Sequence, residues 1–235
     1  MKKIIYSLML IGSIFGLTGC QDITTEDHSV ITHYVAFEMQ GDPIMLVTVG
    51  TSYTDPGVIA TENGVNVTGD VTVSGDAVDP NTIGLYNVVY SGTNVDGFET
   101  SVSRTVIVCN PAVTTDISGT YKSAAGTHRL RAGVTVNYSG YPVVVTKVAP
   151  GFFSVTDFWG GYYYPRAAGY ANVYTMSGYV KLNLDNTVGL LSSKVKGWGD
   201  SLDGMANGVY DPTAQSLYWE VGYAGNMTFF VTLTK

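Results

Sequence analysis

The segment Gly84-Leu85-Tyr86-Asn87-Val88-Val89-Tyr90 has the residue pattern that decides the fold of the first half of the chain. Side chains alternate between the two faces of a β-strand, so Tyr86, Val88 and Tyr90 share one face. Aromatic and β-branched residues of this kind favour strands over helices. We therefore predict a strand with one face packed in a hydrophobic core.

Short segments of the same type recur on both sides of it, and no helical period lies between them. The predicted strands of this half are 34–37, 44–47, 71–73, 86–90 and 102–108. Turns separate them, as in Asp55-Pro56-Gly57, where Pro fixes φ and Gly accepts a positive φ. Short strands joined by such turns indicate a β-sandwich.

Three motifs of this half occur in the order and spacing of one protein family. They are Tyr53-Thr54-Asp55-Pro56-Gly57-Val58, the segment at 84–90, and Arg104-Thr105-Val106-Ile107-Val108. On these motifs, residues 50–109 resemble a bacterial Ig-like domain of surface proteins. The resemblance implies a spacer or adhesion module without catalytic residues.

The second half has the same strand and turn composition. Its predicted strands are 120–122, 129–136, 143–148, 152–155, 174–184, 188–195, 209–210, 217–221 and 227–233. Short turns join these strands, so we predict an antiparallel meander that curls towards a barrel and thereby protects its edges. The predicted fold class is all-β: an N-terminal Ig-like β-sandwich followed by a C-terminal antiparallel β-barrel-like (lipocalin-like) domain.

Four motifs of the second half also carry a resemblance. They are the runs at 153–163, 197–201, 210–212 and 229–235. Together they resemble the C-terminal β domain of small Bacteroidetes surface lipoproteins of unknown function. The resemblance covers nearly the whole half and implies an architecture and a location, but no activity.

These patterns divide the chain into five parts. They are a lipoprotein signal peptide at 1–19, a lipidated tether at 20–33, the Ig-like β-sandwich at 34–110, a linker at 111–118 and the aromatic-rich antiparallel β domain at 119–235. The linker is assigned where Pro111 and the polar residues after it interrupt the strand pattern.

The N-terminus has the three zones of a secretory signal peptide. Lys2 and Lys3 precede an apolar stretch at 4–17, which is shorter than the roughly 20 residues that span a bilayer. Leu17-Thr18-Gly19-Cys20 then resembles the bacterial lipobox, which implies lipid attachment at Cys20 and cleavage just before it. Two lipid signals give stable anchoring, since each buried CH₂ contributes about 0.8 kcal/mol. The alternative is an ordinary signal peptide with a chance cysteine.

The segment at 21–27 is acidic and has no core-forming pattern. It resembles the surface-export signal of Bacteroidetes lipoproteins, and it is equally compatible with a solvated tether. We expect the protein to be lipid-anchored in the outer membrane and to face the cell exterior. Apart from the acyl lipid on Cys20, we expect no cofactor.

Charge is distributed unevenly along the chain. Residues 20–110 contain 12 acidic residues and one base, Arg104, whereas residues 111–235 contain seven acids and nine bases. Nucleic-acid binding needs clustered Lys and Arg, so the acidic first half argues against it. With Cys20 lipidated, Cys109 has no partner for a disulfide.

Aromatic residues are concentrated in the second half, where all three Trp and 12 of the 17 Tyr lie after Pro111. The densest run is 152–164, and Tyr170 lies beyond it. Because neighbouring strand side chains alternate faces, at least one of Tyr162, Tyr163 and Tyr164 should face solvent or pack on a loop. Three interpretations of these rings are open: they fill a barrel core, they stack on sugars, or they form a protein interface. The candidate ligand-binding residues are Asp157, Trp159, Tyr162, Tyr163, Tyr164, Trp198 and Asp200, with Asn207 as a further partner for sugar hydroxyls.

No catalytic or metal-binding residue is predicted, and we do not expect an enzyme. The carboxylates considered are Asp157, Asp200, Asp203 and Glu220, but the sequence does not show the defined separation that a glycosidase needs. The histidines His28, His33 and His128 are scattered, without zinc or triad spacing. Ser201 lacks the G-x-S-x-G context. The turn aspartates of the first half leave calcium as a weak alternative.

We predict a surface-anchored lipoprotein that binds carbohydrate without catalysis and serves a glycan-uptake system. The alternative is a structural or adhesion lipoprotein that contacts another protein at the cell surface. The expected partners are the membrane, through the lipid, a polysaccharide or oligosaccharide, and an outer-membrane protein.

Overall fold

The computed structural model describes residues 31–235. The predicted signal peptide, the lipid site at Cys20 and most of the tether therefore lie outside the described residues. Within 31–235 the chain forms 17 strands and two short 3₁₀ turns, Thr68–Asp70 and Asn172–Tyr174. This part of the chain holds no helix with the length and apolar character needed to cross a membrane.

The first half is a sandwich of two sheets. Its strands are β1 (Ala36–Met39), β2 (Ile44–Thr48), β3 (Val58–Glu62), β4 (Val65–Asn66), β5 (Thr72–Gly75), β6 (Gly84–Thr93) and β7 (Glu99–Cys109). One sheet has the order β1-β3-β4 and the other the order β2-β7-β6-β5. The core between them buries Val88 and Tyr90 of the segment at 84–90, with Tyr86 partly buried beside them. The predicted strand face is thus confirmed.

Strands β3 and β4 were not among the predicted strands. They form a hairpin around Asn63 and Gly64, both with positive φ. The strand pattern gives no signal for this hairpin, because β4 has only two residues and both are exposed. Pairing with β1 stabilises β3, and this is a tertiary contact with no local sequence pattern.

A buried ion pair connects distant parts of this sandwich. The guanidinium of Arg104, fully buried on β7, pairs with Asp55 and donates hydrogen bonds to the carbonyls of Gln40 and Gly57. The Tyr90 hydroxyl also donates to Asp55, at 2.6 Å. Burial raises the pKa of Asp55, but the hydrogen bonds and the Arg104 charge outweigh it and hold the pKa below 3.8. Asp55 is therefore the counter-charge of Arg104 as well as a turn residue.

The second half is one curled antiparallel sheet of ten strands. They are β8 (Gly119–Ser123), β9 (His128–Arg131), β10 (Val134–Asn137), β11 (Pro142–Ala149), β12 (Phe152–Val155), β13 (Met176–Leu182), β14 (Val188–Val195), β15 (Gly204–Asp211), β16 (Ser216–Tyr223) and β17 (Met227–Thr234). The order is β10-β9-β17-β8-β11-β12-β13-β14, with β16 and then β15 on the other side of β17. A single bridge between Thr187 and Val209 links the two ends of the curl. The predicted all-β, barrel-like architecture is confirmed.

The prediction of a single strand at 129–136 is wrong. The segment is two strands, β9 and β10, joined by a two-residue turn at Ala132-Gly133, where φ is 48° and 75°. Hairpin turns of this kind need positive φ at both central residues, and Asn-Gly or Asp-Gly is the usual signal. Ala132 gives no such signal, so the turn is invisible in the sequence.

A small hydrophobic cluster joins the two halves. It buries Ile107 and Cys109 of β7 against Ala149 and Phe152 of the second half. Phe153, the next residue along β12, points to the opposite face and lies in the core of the curled sheet. The adjacent residues Phe152 and Phe153 are therefore buried in two different hydrophobic clusters. Cys109 is a free, buried thiol in this cluster.

Candidate functional site: an exposed aromatic cluster

Two long loops meet over one end of the curled sheet. The first, residues 156–175, joins β12 to β13, and the second, residues 196–203, joins β14 to β15. All the residues predicted to bind a ligand, except Asn207, lie in these loops. Asn207 lies at a bulge of β15, with a φ of 52°.

A buried carboxylate ties the base of the first loop together. Asp157 accepts hydrogen bonds from the backbone N–H groups of Trp159, Gly161 and Met176, at 3.1, 2.8 and 3.1 Å. Trp159 and Gly161 follow Asp157 closely, whereas Met176 begins β13, so one side chain joins both ends of the loop. Burial raises the pKa of Asp157 to about 7, although the three N–H groups oppose this rise.

Two glycines allow aromatic residues to approach the loop backbone. A Cβ on Gly161 would lie 2.2 Å from the Cβ of Tyr141, and one on Gly197 would lie 2.4 Å from the Tyr174 ring. Real side chains do not approach this closely, so neither position accepts a larger residue without displacing a tyrosine. The close fit at Gly197 sets the position of the adjacent Trp198.

Trp198 is the centre of a group of rings that we call the Trp198 cluster, formed by Tyr163, Tyr170, Tyr174, Trp198 and Tyr223. Ring centroids lie 4.9 Å from Trp198 for Tyr163 and Tyr174, 5.8 Å for Tyr170 and 6.3 Å for Tyr223. These separations are those of favourable aromatic pairs. Trp198 is nevertheless 39% exposed and Tyr170 37% exposed. The cluster therefore presents apolar ring surface to solvent.

Polar groups border the cluster on one side. The Tyr223 hydroxyl donates a hydrogen bond to Asp200 at 2.8 Å, and burial raises the pKa of Tyr223, so the hydroxyl stays protonated. An open depression of about 410 Å³ adjoins it, lined by Asp200, Ser201 and Asp203 among others. Asp200 is exposed and keeps acceptor capacity for hydroxyl groups of a ligand.

The structure separates the predicted ligand-binding residues into two groups. Tyr164, Trp198 and Asp200 are exposed and Tyr163 is partly buried, whereas Asp157, Trp159 and Tyr162 are buried. The buried three do not present a surface to a ligand, because the cluster covers Trp159 and Asp157 lies beneath the loop. At least one of the three consecutive tyrosines was predicted to face solvent or pack on a loop, and this is confirmed, since Tyr164 is exposed. All three lie in a loop and not in a strand.

Trp159 forms the floor of the cluster. Its ring lies 4.7 Å from Tyr163 and 4.9 Å from Tyr223, both edge to face. Its indole N–H has no hydrogen-bond partner within residues 31–235. The three tryptophans thus have different roles, since Trp219 is also fully buried and only Trp198 reaches the surface.

Sequence reasoning missed Tyr174 and Tyr223 as members of the cluster. It also missed two arginines that contact the neighbouring Tyr162. Arg166 lies with its Cζ 4.2 Å from the centroid of the Tyr162 ring and donates its Nε to the Tyr162 carbonyl. Arg129 donates its Nε to the Tyr162 hydroxyl at 3.1 Å. These residues are far apart in sequence, so no local motif could have grouped them.

A second concave surface lies on the Ig-like half. It is a groove of about 340 Å³ whose lining includes Ile31, Val65, Val67 and Val95, with Glu62 at its side. None of its lining residues is Phe, Tyr or Trp. It therefore lacks the ring surface on which a sugar could stack. Across the part of the chain that the structure describes, no three His, Cys, Asp or Glu side chains are placed to hold a metal ion.

Comparison with known proteins agrees with this architecture. A family model for a bacterial surface protein Ig-like domain matches residues 37–108, and a family model for a C-terminal domain matches residues 110–235. Among solved structures, the lipoprotein BT2262 from Bacteroides thetaiotaomicron is 40% identical, over 86% of this chain and 100% of that chain, with a TM-score of 0.49. The chain belongs to the family of this lipoprotein. No curated protein matches it.

The two family models match the two halves of the chain separately, in agreement with its two-part organisation. The solved relative is a bacterial lipoprotein, and the first half is a surface-protein type of Ig-like domain. Both resemblances inferred from the sequence are thereby confirmed. The matched families are a surface lipoprotein and an Ig-like domain, and neither is a known enzyme family.

Proposed function

We propose that this member of the BT2262 family is a non-catalytic, carbohydrate-binding lipoprotein of the outer-membrane surface that helps to capture glycans for uptake. The single observation that carries the proposal is the exposure of Trp198 within a cluster of tyrosines. Sugar rings have apolar faces that stack on exposed aromatic side chains, and their hydroxyls need polar partners nearby. Asp200 and Ser201 stand beside the cluster to provide them.

The remainder of the chain fits a presenting role. Cys20 holds the protein at the membrane through its lipid, and the Ig-like half separates the aromatic half from the anchor. The buried Arg104–Asp55 ion pair and the hydrophobic cluster around Phe152 support this spacer. The glycan surface is thereby displayed away from the bilayer.

The test is a glycan-array screen, followed by affinity electrophoresis in gels that contain each polysaccharide that binds. The protein is residues 21–235, which omit the predicted signal peptide and lipid site. We expect Trp198→Ala and Tyr170→Ala to weaken binding at least about tenfold, because burying an aromatic side chain contributes about 1.5–3 kcal/mol. Phe98→Ala is the matched control, since Phe98 is an exposed aromatic residue of the Ig-like half.

Folding of each variant is checked by circular dichroism, which matters because Trp198 also packs against its neighbours. Binding that is unchanged in the folded Trp198→Ala protein would show that the cluster is not the binding surface. An absence of binding across a broad panel would end the carbohydrate proposal.

Contact with another protein is the second candidate function, and one observation favours it. Ile44 and Leu46 of β2 are 61% and 58% exposed, and β2 is an edge strand that pairs only with β7. Exposed aliphatic residues on an open edge are typical of sites for strand addition. If glycans do not bind, loss of an outer-membrane partner in Leu46→Asp cells would identify this surface as the functional one.

A further inference from the structure

Three arginines, Arg129, Arg131 and Arg166, lie near the tyrosines beside the Trp198 cluster. Arg129 and Arg131 lie on β9, where they pair with Phe229 and Met227 of β17. Phe229 contacts the ring of Tyr162 at 5.2 Å, and the Tyr163 hydroxyl lies 3.9 Å from the Met227 sulfur. Paired residues on adjacent strands share a face, so both arginines project towards these tyrosines.

Arg166 approaches the same tyrosines from the loop. Its Cζ lies 4.2 Å from the centroid of Tyr162, and the Cζ of Arg129 lies 5.3 Å from it. Tyr162 in turn contacts Tyr163 at 5.0 Å, and Tyr163 contacts Trp198 at 4.9 Å. The guanidinium groups are therefore separated from the exposed tryptophan by two tyrosine rings.

In the part of the chain that the structure describes, no carboxylate forms an ion pair with these three arginines. Within residues 31–235 the ion pairs are Arg104–Asp55 and Lys147–Asp116. Arg129 and Arg166 each use Nε for a hydrogen bond to Tyr162, and Arg131 makes no side-chain hydrogen bond in this part of the chain. The terminal nitrogens of all three have no acidic partner there.

The buried carboxylate of the first loop already has its hydrogen-bond partners. Burial raises the pKa of Tyr138, Asp157 adds to this rise and the charges of Arg166 and Arg129 oppose it, and the Arg166 Cζ lies 6.0 Å from the centroid of the Tyr138 ring. Asp157, however, is buried and accepts three backbone hydrogen bonds. Like charges held together without a counter-charge repel each other, and a bound anion removes that repulsion. Guanidinium groups are also the preferred partners of planar oxyanions.

We propose that the glycan bound at the Trp198 cluster is acidic, and that its carboxylate or sulfate group binds to Arg129, Arg131 and Arg166. This inference rests on the proposed carbohydrate function and names its ligand class. The aromatic rings bind the sugar faces, and the arginines select for charge.

The test uses two matched pairs of polysaccharides in affinity gels: polygalacturonate with its methyl ester, and dextran sulfate with dextran. Each pair keeps the sugar and changes the charge, and the two pairs distinguish carboxylate from sulfate. We expect the protein to bind one charged member at least about tenfold more tightly than its neutral partner. Raising NaCl from about 0.05 to about 0.5 M should weaken that binding, since salt screens exposed charges.

The variants are Arg131→Gln and the double variant Arg129→Gln/Arg166→Gln. The Arg131 side chain makes no hydrogen bond within residues 31–235, so we expect its replacement to leave the fold intact, whereas the double variant requires a circular dichroism check. The matched control is Lys122→Gln/Lys194→Gln, which removes the same charge from two exposed lysines on β8 and β14. We expect the arginine variants to lose about tenfold or more in binding to the charged polymer. The lysine control should retain it.

The outcomes separate the two proposals. Suppose that the protein binds neutral glycans, that Trp198→Ala abolishes this binding and that the arginine variants do not change it. The ligand is then not acidic, but the proposed carbohydrate function stands. If the arginine variants and the lysine control lose equal amounts of binding affinity, the interaction is general charge attraction. This result would also overturn the acidic assignment. If Trp198→Ala still binds the charged polymer, the Trp198 cluster is not the binding surface, and this inference is refuted with it.

Discussion

Two aspartates of this protein, Asp55 and Asp157, have pKa values shifted in opposite directions. Asp55 pairs with the buried Arg104, and its pKa lies below 3.8. Asp157 has no cationic partner and only backbone N–H donors, and burial raises its pKa to about 7. The sequence predicted Asp55 as a turn residue and Asp157 as a candidate ligand-binding residue, and neither prediction anticipated these opposite pKa shifts. The difference arises from what surrounds each carboxylate in three dimensions.

Asp157 should make the stability of the aromatic half depend on pH. Its folded pKa of about 7 is above the unfolded value of 3.8, so the folded protein retains a proton that the unfolded chain releases. The stabilisation from this proton is complete below about pH 4 and is lost as the pH rises towards 7, at up to about 1.4 kcal/mol per pH unit. Urea unfolding followed by Trp fluorescence from pH 4 to 8 measures it.

Asp157→Asn removes this titration. The amide oxygen of this variant can still accept hydrogen bonds from the N–H groups of Trp159 and Met176, while its NH₂ group faces the Gly161 N–H. Because two donors then face each other, we expect a lower free energy of unfolding. Because the side chain no longer titrates, that free energy should also depend less on pH. The difference between wild type and Asp157→Asn isolates the Asp157 contribution from other titrating groups. Asp96→Asn, at an exposed carboxylate of the Ig-like half, serves as the control. Identical pH slopes in wild type and Asp157→Asn would refute the assignment.

At the scale of elements, the β9–β10 hairpin shows how a local rule can be broken. The turn at Ala132-Gly133 places an alanine at a φ of 48°, where Cβ is crowded and asparagine or glycine is preferred. The hairpin forms because β9 also pairs with β17. The same hairpin carries Arg129 and Arg131, so its geometry positions two of the three arginines beside the aromatic cluster.

Ala132→Asn should stabilise the protein by about 0.5–1 kcal/mol, because asparagine tolerates this backbone conformation at lower cost. The urea midpoint should rise with no change in the slope of the transition. Ala214→Asn is the matched control, because Ala214 is an exposed turn alanine without a positive φ. A lower midpoint in Ala132→Asn would mean that the turn conformation is different from that described.

At the scale of the whole molecule, one small hydrophobic cluster holds the two halves together. Phe152 lies on the outer face of the curled sheet and is nevertheless fully buried, because Ile107 and Cys109 of the Ig-like half cover it. Buried aromatic contacts of this type transmit stability from one folding unit to the other. We therefore expect the two halves to unfold together.

Phe152→Ala should uncouple them, since a Phe→Ala change in a buried site costs about 3–5 kcal/mol. Calorimetry should show one transition for wild type and two for the variant, with faster proteolysis between residues 110 and 118. Phe230→Ala is the control, because Phe230 lies on the outer face of the same sheet, stacks on His128 and does not contact the Ig-like half. A single unchanged transition in Phe152→Ala would exclude coupling through this cluster.

Local patterns in the sequence predicted much of this molecule correctly. Alternation of apolar and polar residues identified most strands, and the motifs around Asp55, Tyr86 and Arg104 indicated the family of the first half. These features depend on residues near one another along the chain, where the two-residue period of a strand is directly visible. The N-terminal anchor and the domain boundaries stay predictions made from the same kind of pattern.

The candidate site depended on tertiary structure instead. The sequence proposed Trp159, Tyr162 and Trp198 alike, yet only Trp198 is exposed, because exposure is decided by which distant residues cover a ring. Tyr223 and the arginines reach the cluster from other strands and loops, through contacts of long sequence separation. By itself, therefore, the sequence determined an all-β fold in two parts and an aromatic-rich second half. Which rings form a surface, and which charges adjoin it, follows from the folded arrangement, because burial depends on the three-dimensional neighbours of a residue and not on its neighbours along the chain.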